Sequence, residues 1–471
     1  MVVYNLSKFF YHLRNKWIDF WATKALVKKF FYTSLLLIIF IIGTTITAPY
    51  IKVSNFNALS ENAFLNTLNL IGGGGLRQFS LFALGISPFI NASLIMMILQ
   101  SKIFPPIHKL SQSGPQGRRK INIITRLMTL AIAFPQAIFL TKSLAAGTSA
   151  FIQITLPANS IFSETAMAYF ILPMILVAGS LFALFLSEQI TNKGIGNGTS
   201  LIIFTGIAAR LPFQFQTAFR TYVEGGTESN GTLVGVINFV TYLAIYLVVI
   251  MIIAIVYVAE RHIPIQQIGA GRSKSLKEMG KLPIKLNPAG IMPIIFAMMV
   301  LSFPTMIANL LPNTNASRAW ILENLQFTKP IGFSLLMVII FVFSLIMGIQ
   351  QSKVDKIAED FAKNSTFIPG VRPGEETQDY LIAIVFRLSV FSSIYLLILG
   401  SMQFVEIMTG ILPQAISFGG TSLMILVSVS LETIGQLQAR RKSNKLAKAK
   451  RNTTTYLESS NEDNKHEGLL W

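Results

Sequence analysis

The residue types that ordinarily carry covalent or metal chemistry are few in this chain and badly spaced for it. The 471 residues include no cysteine, which removes disulfides, thiol nucleophiles and every Cys-ligated zinc or iron–sulfur site. The four histidines, His12, His108, His262 and His466, are scattered without metal-ligand spacing. Neither glycine-rich segment is a phosphate loop. The run Gly72 to Gly75 is followed by Leu76-Arg77, and Gly269-Ala270-Gly271-Arg272-Ser273-Lys274-Ser275 lacks the required spacing. No carboxylate pair and no acid–histidine couple falls in the middle of an apolar stretch, where an ion-driven transporter would need such groups, or broken helices holding substrate. The expectation is a protein with no cofactor and no metal that performs no covalent chemistry.

The elements that hold the remaining polar positions are membrane spans. Apolar residues make up 52% of the chain and charged residues 13%, too little polar surface to solvate several soluble cores. A charge at mid-bilayer is costly and about 20 apolar residues cross the hydrocarbon, so uncharged stretches mark spans. Seven are clear: Lys29 to Lys52, Arg77 to Lys102, Glu164 to Glu188, Glu228 to Glu260, Lys285 to Arg318, Lys329 to Lys353 and Glu406 to Glu432. Three are weaker: Leu127 to Thr141, Gly194 to Ala209, and Leu381 to Gln403 with Arg387 near its start. Ten spans put both termini on one side. The connecting segments on that side hold 31 Lys and Arg, the opposite ones 7, so the positive-inside bias makes the termini cytoplasmic. Most of the net charge of +18 is then cytoplasmic surface.

Residues 1–29 precede a span too long for a signal peptide's apolar core and are expected to stay. Phe9, Leu13, Trp17, Phe20 and Trp21 recur at helical spacing among lysines and Arg14, the pattern of an interfacial amphipathic helix. Residues 438–471 turn polar, basic and then acidic, and are expected to be disordered.

Phe64 to Gly75 (FLNTLNLIGGGG) is apolar but short. It could re-enter the membrane only where protein or a water-filled cavity satisfies its backbone; periodicity alone favours an extracytoplasmic loop with a glycine hinge. Two cytoplasmic loops are long enough to dock a partner. Residues 260–285 carry Arg261, Arg272, Lys274, Lys277, Lys281 and Lys285, while 353–380 ends in Gly370-Val371-Arg372-Pro373-Gly374, where proline stiffening would present Arg372 rigidly. A basic loop serves topology and lipid attraction equally well.

Six motifs together resemble the SecY family of protein-conducting channels: GGGGLRQFSLFALGISPFINASL (Gly72 to Leu94), GRRK followed by TR (Gly117 to Arg126), SEQITNKGIGNGTSLIIFTGI (Ser187 to Ile207), LPIKLNPAGIMPIIFA (Leu282 to Ala297), FIPGVRPGEET (Phe367 to Thr377) and SFGGTSLMI (Ser417 to Ile425). They stand in family order and span nearly all the chain except its termini. The resemblance implies an all-α polytopic fold: ten transmembrane helices in two inverted five-helix halves, 30–211 and 212–437, around an hourglass pore. It implies a re-entrant plug within 62–75, formed by Phe64, Leu65, Leu68, Leu70, Ile71, Gly72, Gly73, Gly74 and Gly75. The positions matching the pore ring are Ile90, Leu94, Thr199, Ile203, Ile295 and Ile425. Those matching the lateral gate are Ser87 and Gln136, the latter reading equally as a helix–helix hydrogen bond. Thr199 departs from the family's aliphatic pattern.

The implied role is central channel subunit for translocating unfolded secretory polypeptides and inserting membrane segments laterally. The two cytoplasmic loops match the docking site for ribosomes and the SecA ATPase. Further implied partners are SecE-like and SecG-like membrane subunits, signal-peptide-bearing nascent chains, the phospholipid bilayer, and membrane insertase and SecDF-like accessory proteins. The expected location is a bacterial cytoplasmic membrane, with the plastid thylakoid as the alternative. A secondary transporter would need mid-membrane carboxylates, and a lipid or glycan flippase a charged cavity facing the bilayer.

Overall fold

The computed structural model describes residues 23–53, 69, 72–100, 104–145, 151–155, 163, 166–224, 232–267, 280–310, 316–413, 416–417 and 419–467. In hydrocarbon every backbone polar group must be paired internally, which helices do within one segment. The helices are α1 (Lys24–Thr45), α2 (Ser87–Leu99), α3 (Pro105–Gln112), α4 (Gly114–Ala145), α5 (Leu172–Lys193), α6 (Gly198–Phe219), α7 (Thr232–Val258), α8 (Met292–Leu310), α9 (Ala316–Asn324), α10 (Pro330–Ser352), α11 (Val354–Lys363), α12 (Glu375–Thr409) and α13 (Gly420–Glu467).

Among the described residues, seven helical segments are long and apolar enough to cross a membrane: Lys24–Thr45, Gly114–Lys142, Met167–Lys193, Leu233–Val258, Pro330–Lys363, Glu375–Thr409 and Gly420–Asn444. The other three expected spans are occupied by α2, α6 and α8. Helix α2 has only 13 residues, because the chain before it runs through turns and a 3-10 turn at Gly75–Gln78. Helix α6 carries Arg210 and an internal Pro212, and α8 an internal Pro304. The weak stretch after Arg126 instead belongs to a 32-residue helix. There Arg126 is tied to Glu188 on α5 by a bidentate pair, Nε to Oε1 at 2.9 Å and Nη2 to Oε2 at 2.7 Å, a geometry that neutralises both groups at a span's end. Helix α13 runs 48 residues, so the tail expected to be disordered from Gln438 continues as helix to Glu467.

Burial is arranged for an apolar solvent. Leu35, Ile38 and Ile42 on α1, Val240, Leu247 and Ile255 on α7, and Ile398 on α12 are exposed, an outward apolar belt that water would penalise and lipid does not. Inside, the largest buried cluster gathers residues of α1, α2, α6, α8, α10, α12 and α13, among them Phe40, Leu94, Ile203, Ile295, Ile340 and Ile425. A second cluster (Leu76, Phe79, Leu84, Leu140, Leu176) includes Ile152 of the two-stranded antiparallel sheet β1 (Ile51–Val53) and β2 (Ile152–Ile154). A third lies under β3 (Glu260–Gln267), β4 (Gly280–Lys285) and β5 (Thr366–Phe367).

Candidate functional site

Five of the six residues matched to a pore ring come together. Ile90 and Leu94 on α2, Ile203 on α6, Ile295 on α8 and Ile425 on α13 are all buried, none more than 7% exposed, and belong to one contiguous apolar cluster. Their spacing explains part of this, since residues four apart on a helix share a face. Thr199 differs. It sits on the first turn of α6, partly buried, where the Asn197 side chain caps the helix: Asn197 Oδ1 accepts from the Thr199 amide at 3.2 Å and from its hydroxyl at 2.8 Å. An Asn at this position satisfies one of the helix's unpaired first-turn amides.

The glycine run is packed inside protein. Gly72, Gly73 and Gly75 are buried, and Gly73 and Gly74 take φ near +90°, a region that side chains disfavour. A Cβ on Gly206 of α6 would stand 2.3 Å from the Gly73 carbonyl carbon, and one on Gly85 would stand 1.7 Å from the Gly72 oxygen. Backbone therefore meets backbone on two sides of the run, three residues beyond Ile203 on α6. Several of its polar groups are paired: Asn69 accepts from the Gly74 amide through its carbonyl at 2.8 Å and from the Leu76 amide through Oδ1 at 3.0 Å, and Ser80 Oγ donates to the Gly75 carbonyl at 2.9 Å, while Asn69 Nδ2 is buried without a partner among the described residues. Such pairings are of the kind that a re-entrant element requires. Phe64, Leu65, Leu68, Leu70 and Ile71 lie outside the described residues. Sequence reading singled out neither Gly206 nor Asn69. Only their partners in space distinguish them from other glycines and asparagines.

Ser87 and Gln136 are buried and bonded to each other, Gln136 Nε2 donating to Ser87 Oγ at 2.8 Å. The bond holds α2 against α4. Beside it opens a cavity of about 490 Å³ between these two helices and α8, lined by Leu94, Ile95, Ile132, Phe296, Met299 and Phe303, with Gln136, Asn91 and Ser302 as polar exceptions. At a helix diameter of about 10–12 Å, that volume accommodates about one turn of a guest helix.

The two docking loops form one structure. Strands β3 and β4 pair antiparallel with Arg261 opposite Ile284 and Glu260 opposite Lys285, and β5 from the second loop adds to β3 at Gln266 and Gln267. Ile263, Val354, Ile368 and Leu381 pack beneath. Arg261, Lys281 and Lys285 are exposed, while Arg272, Lys274 and Lys277 lie outside the described residues. Arg372 is held by its backbone: its carbonyl accepts from Thr377 Oγ1 at 2.7 Å and its amide donates to Glu376 Oε2 at 3.4 Å. Its side chain stays 87% exposed. The tip is therefore fixed while the guanidinium, 3.9 Å from Glu376 Oε1 in a solvent-exposed ion pair, stays open to a partner.

Comparison with known proteins fits this arrangement. The family model described as SecY matches residues 80–434, three quarters of the chain. The chain belongs to the SecY family. SecY translocase subunits from Mycoplasma capricolum and Bacillus subtilis are 36% and 34% identical to it. The alignments cover 88% and 90% of this chain and 87% and 96% of those relatives. The SecY fold is shared with a solved structure described as "The structure of a protein conducting channel" (TM-score 0.62, 18% identity, 88% of this chain and 92% of that one). It is shared also with Sec61 in a canine ribosome-channel complex (TM-score 0.57, 18% identity, the same coverage). Like its bacterial SecY relatives, the chain is a multi-pass protein of the cell membrane, here with seven membrane-length apolar helices.

Proposed function

We propose that this SecY chain is the central channel through which unfolded secretory polypeptides cross the membrane and apolar segments leave sideways into it. The observation that carries the reading is the convergence of Ile90, Leu94, Ile203, Ile295 and Ile425 from four helices on one buried apolar cluster, beside the buried glycine run. Aliphatic side chains facing each other across a pore resist wetting by water and ions, yet move aside for many peptide side chains. The run Gly72 to Gly75, with Phe64, Leu65, Leu68, Leu70 and Ile71 before it, would act as plug.

The cavity between α2, α4 and α8 supports a lateral gate with Ser87 and Gln136 on its first-half side. A segment sampling lipid there gains roughly 0.3–0.6 kcal/mol per central Leu and loses roughly 3 per Arg or Lys, so sorting can be a partition equilibrium. The joined platform of β3, β4, β5 and Arg372, with the basic side chains of residues 260–285, would receive a ribosome or a SecA ATPase. Sec61 has been seen bound to a ribosome in the canine complex. SecE-like and SecG-like subunits would complete the assembly, with the termini on the cytoplasmic side. The direct test reconstitutes the purified chain with such subunits in vesicles, adds motor, ATP and precursor, and measures precursor protected from external protease. Protection that requires the chain supports the channel. Absence of protection with all components folded and the motor active removes it.

A further inference from the structure

The last turn of α10 meets the end of α2. Gln350 Nε2 donates to the Met97 carbonyl at 3.1 Å, joining residues 253 positions apart. The final carbonyls of a helix have no partner within it, and Met97 lies in the last turn of α2. The neighbouring glutamine points elsewhere: Gln351 Nε2 donates to the Ala289 carbonyl at 3.3 Å, on the segment that leads out of β4 within the second half. Directly after this turn Lys353 adopts φ 45° and breaks α10 from α11, whose Val354 packs into the cluster beneath β3. One end of this turn therefore holds α2 and the other is continuous with the docking platform.

We infer that Gln350 is a positioning residue that latches the lateral gate at the cytoplasmic end of α2, and that movement of the platform about Lys353 withdraws it. The inference rests on the reading of α2 and α4 against α8 and α10 as a gate. A neutral amide suits the role, since it caps a carbonyl beside an apolar cavity without bringing a charge there. Both groups are partly buried, so water can replace the lost partner and the latch is breakable. A neutral bond of this kind biases a two-state equilibrium about two- to tenfold.

The absence of cysteine makes the test clean. Cysteines placed at the exposed positions Lys109 on α3 and Lys356 on α11 carry the two spin labels, and their separation is measured in phospholipid vesicles with and without an arrested precursor. At rest, Gln350→Leu is expected to raise the wide-gap population about two- to tenfold. Gln350→Asn, which keeps a neutral amide donor, is expected to fall nearer the unsubstituted chain than Gln350→Leu does, and Gln351→Leu is expected to match the unsubstituted chain. An unchanged gap in Gln350→Leu, or an equal change in Gln351→Leu, overturns the latch. Widening of the unsubstituted chain by precursor is the separate check on the gate. If precursor widens the gap but Gln350→Leu does not, the latch alone fails. If precursor leaves it unchanged, the gate reading fails with it.

Discussion

Thr199 and Gly206 lie on the same helix, and the proposed channel gives them opposite effects on its seal. In the proposed ring the Thr199 hydroxyl, which donates to Asn197 Oδ1 at 2.8 Å, would place a polar group where an aliphatic one excludes water better, and the closed state would then lean more on the glycine run. Thr199→Ile is expected to lower resting ion conductance across vesicles, and equal conductance would count against that division of labour. Gly206→Ala adds a Cβ at 2.3 Å from Gly73 backbone, closer than any real contact. Overpacking of this kind costs about 1–3 kcal/mol and is relieved by displacement. The expected outcome is a raised resting conductance with a normally folded chain; an unchanged conductance would mean the run does not contribute to the seal. The effect at Gly206 was not legible in the sequence, since a close approach between residues 133 positions apart leaves no local signal.

At the scale of elements, the docking platform is where the sequence said least about form. Residues 260–285 read as a basic loop, yet strands β3 and β4 pair in it and β5 joins from residues 366–367. Alternation in His262 to Pro283 is short and interrupted by prolines, and the partner strand β5 has only two residues, too few to register as a pattern. The proline-stiffened tip at Arg372 was legible. Arg372→Glu is expected to reduce motor-dependent export at equal protein level more than it reduces membrane assembly. Thr377→Val, which removes the 2.7 Å bond to the Arg372 carbonyl, should give a smaller loss in the same assay, about the 0.5–1.5 kcal/mol of one hydrogen bond. Unchanged export in Arg372→Glu would move the docking site elsewhere. Charge-free stretches located the spans well but not their conformation. The stretch from Arg77 to Lys102 is half irregular chain, whereas that after Arg126 is continuous helix, with Glu188 pairing the arginine.

For the whole molecule, composition alone was decisive about the solvent: exposed apolar belts and a buried inner cluster are what a 52% apolar, 13% charged chain must build in lipid. The charge bias predicts the topology: labelling introduced cysteines from either side of the membrane should find Lys109 and Lys363 accessible from the cytoplasm and Lys52 and Lys329 from the opposite side. The inverted reactivity would reverse the pore's direction. That Ile90, Leu94, Ile203, Ile295 and Ile425 share one buried apolar cluster was expected only through motif resemblance, because their helices are far apart in sequence and each stripe alone reads as ordinary core. The most direct test of that convergence is a single cysteine at Ile203 and a second in an arrested secretory precursor. A disulfide should form between them in membranes, move in register with precursor length, and vanish when the channel cysteine is moved to the outward-facing Leu247. Failure to cross-link at Ile203, Ile295 and Ile425, with protein folded and motor present, would mean that no polypeptide threads this ring.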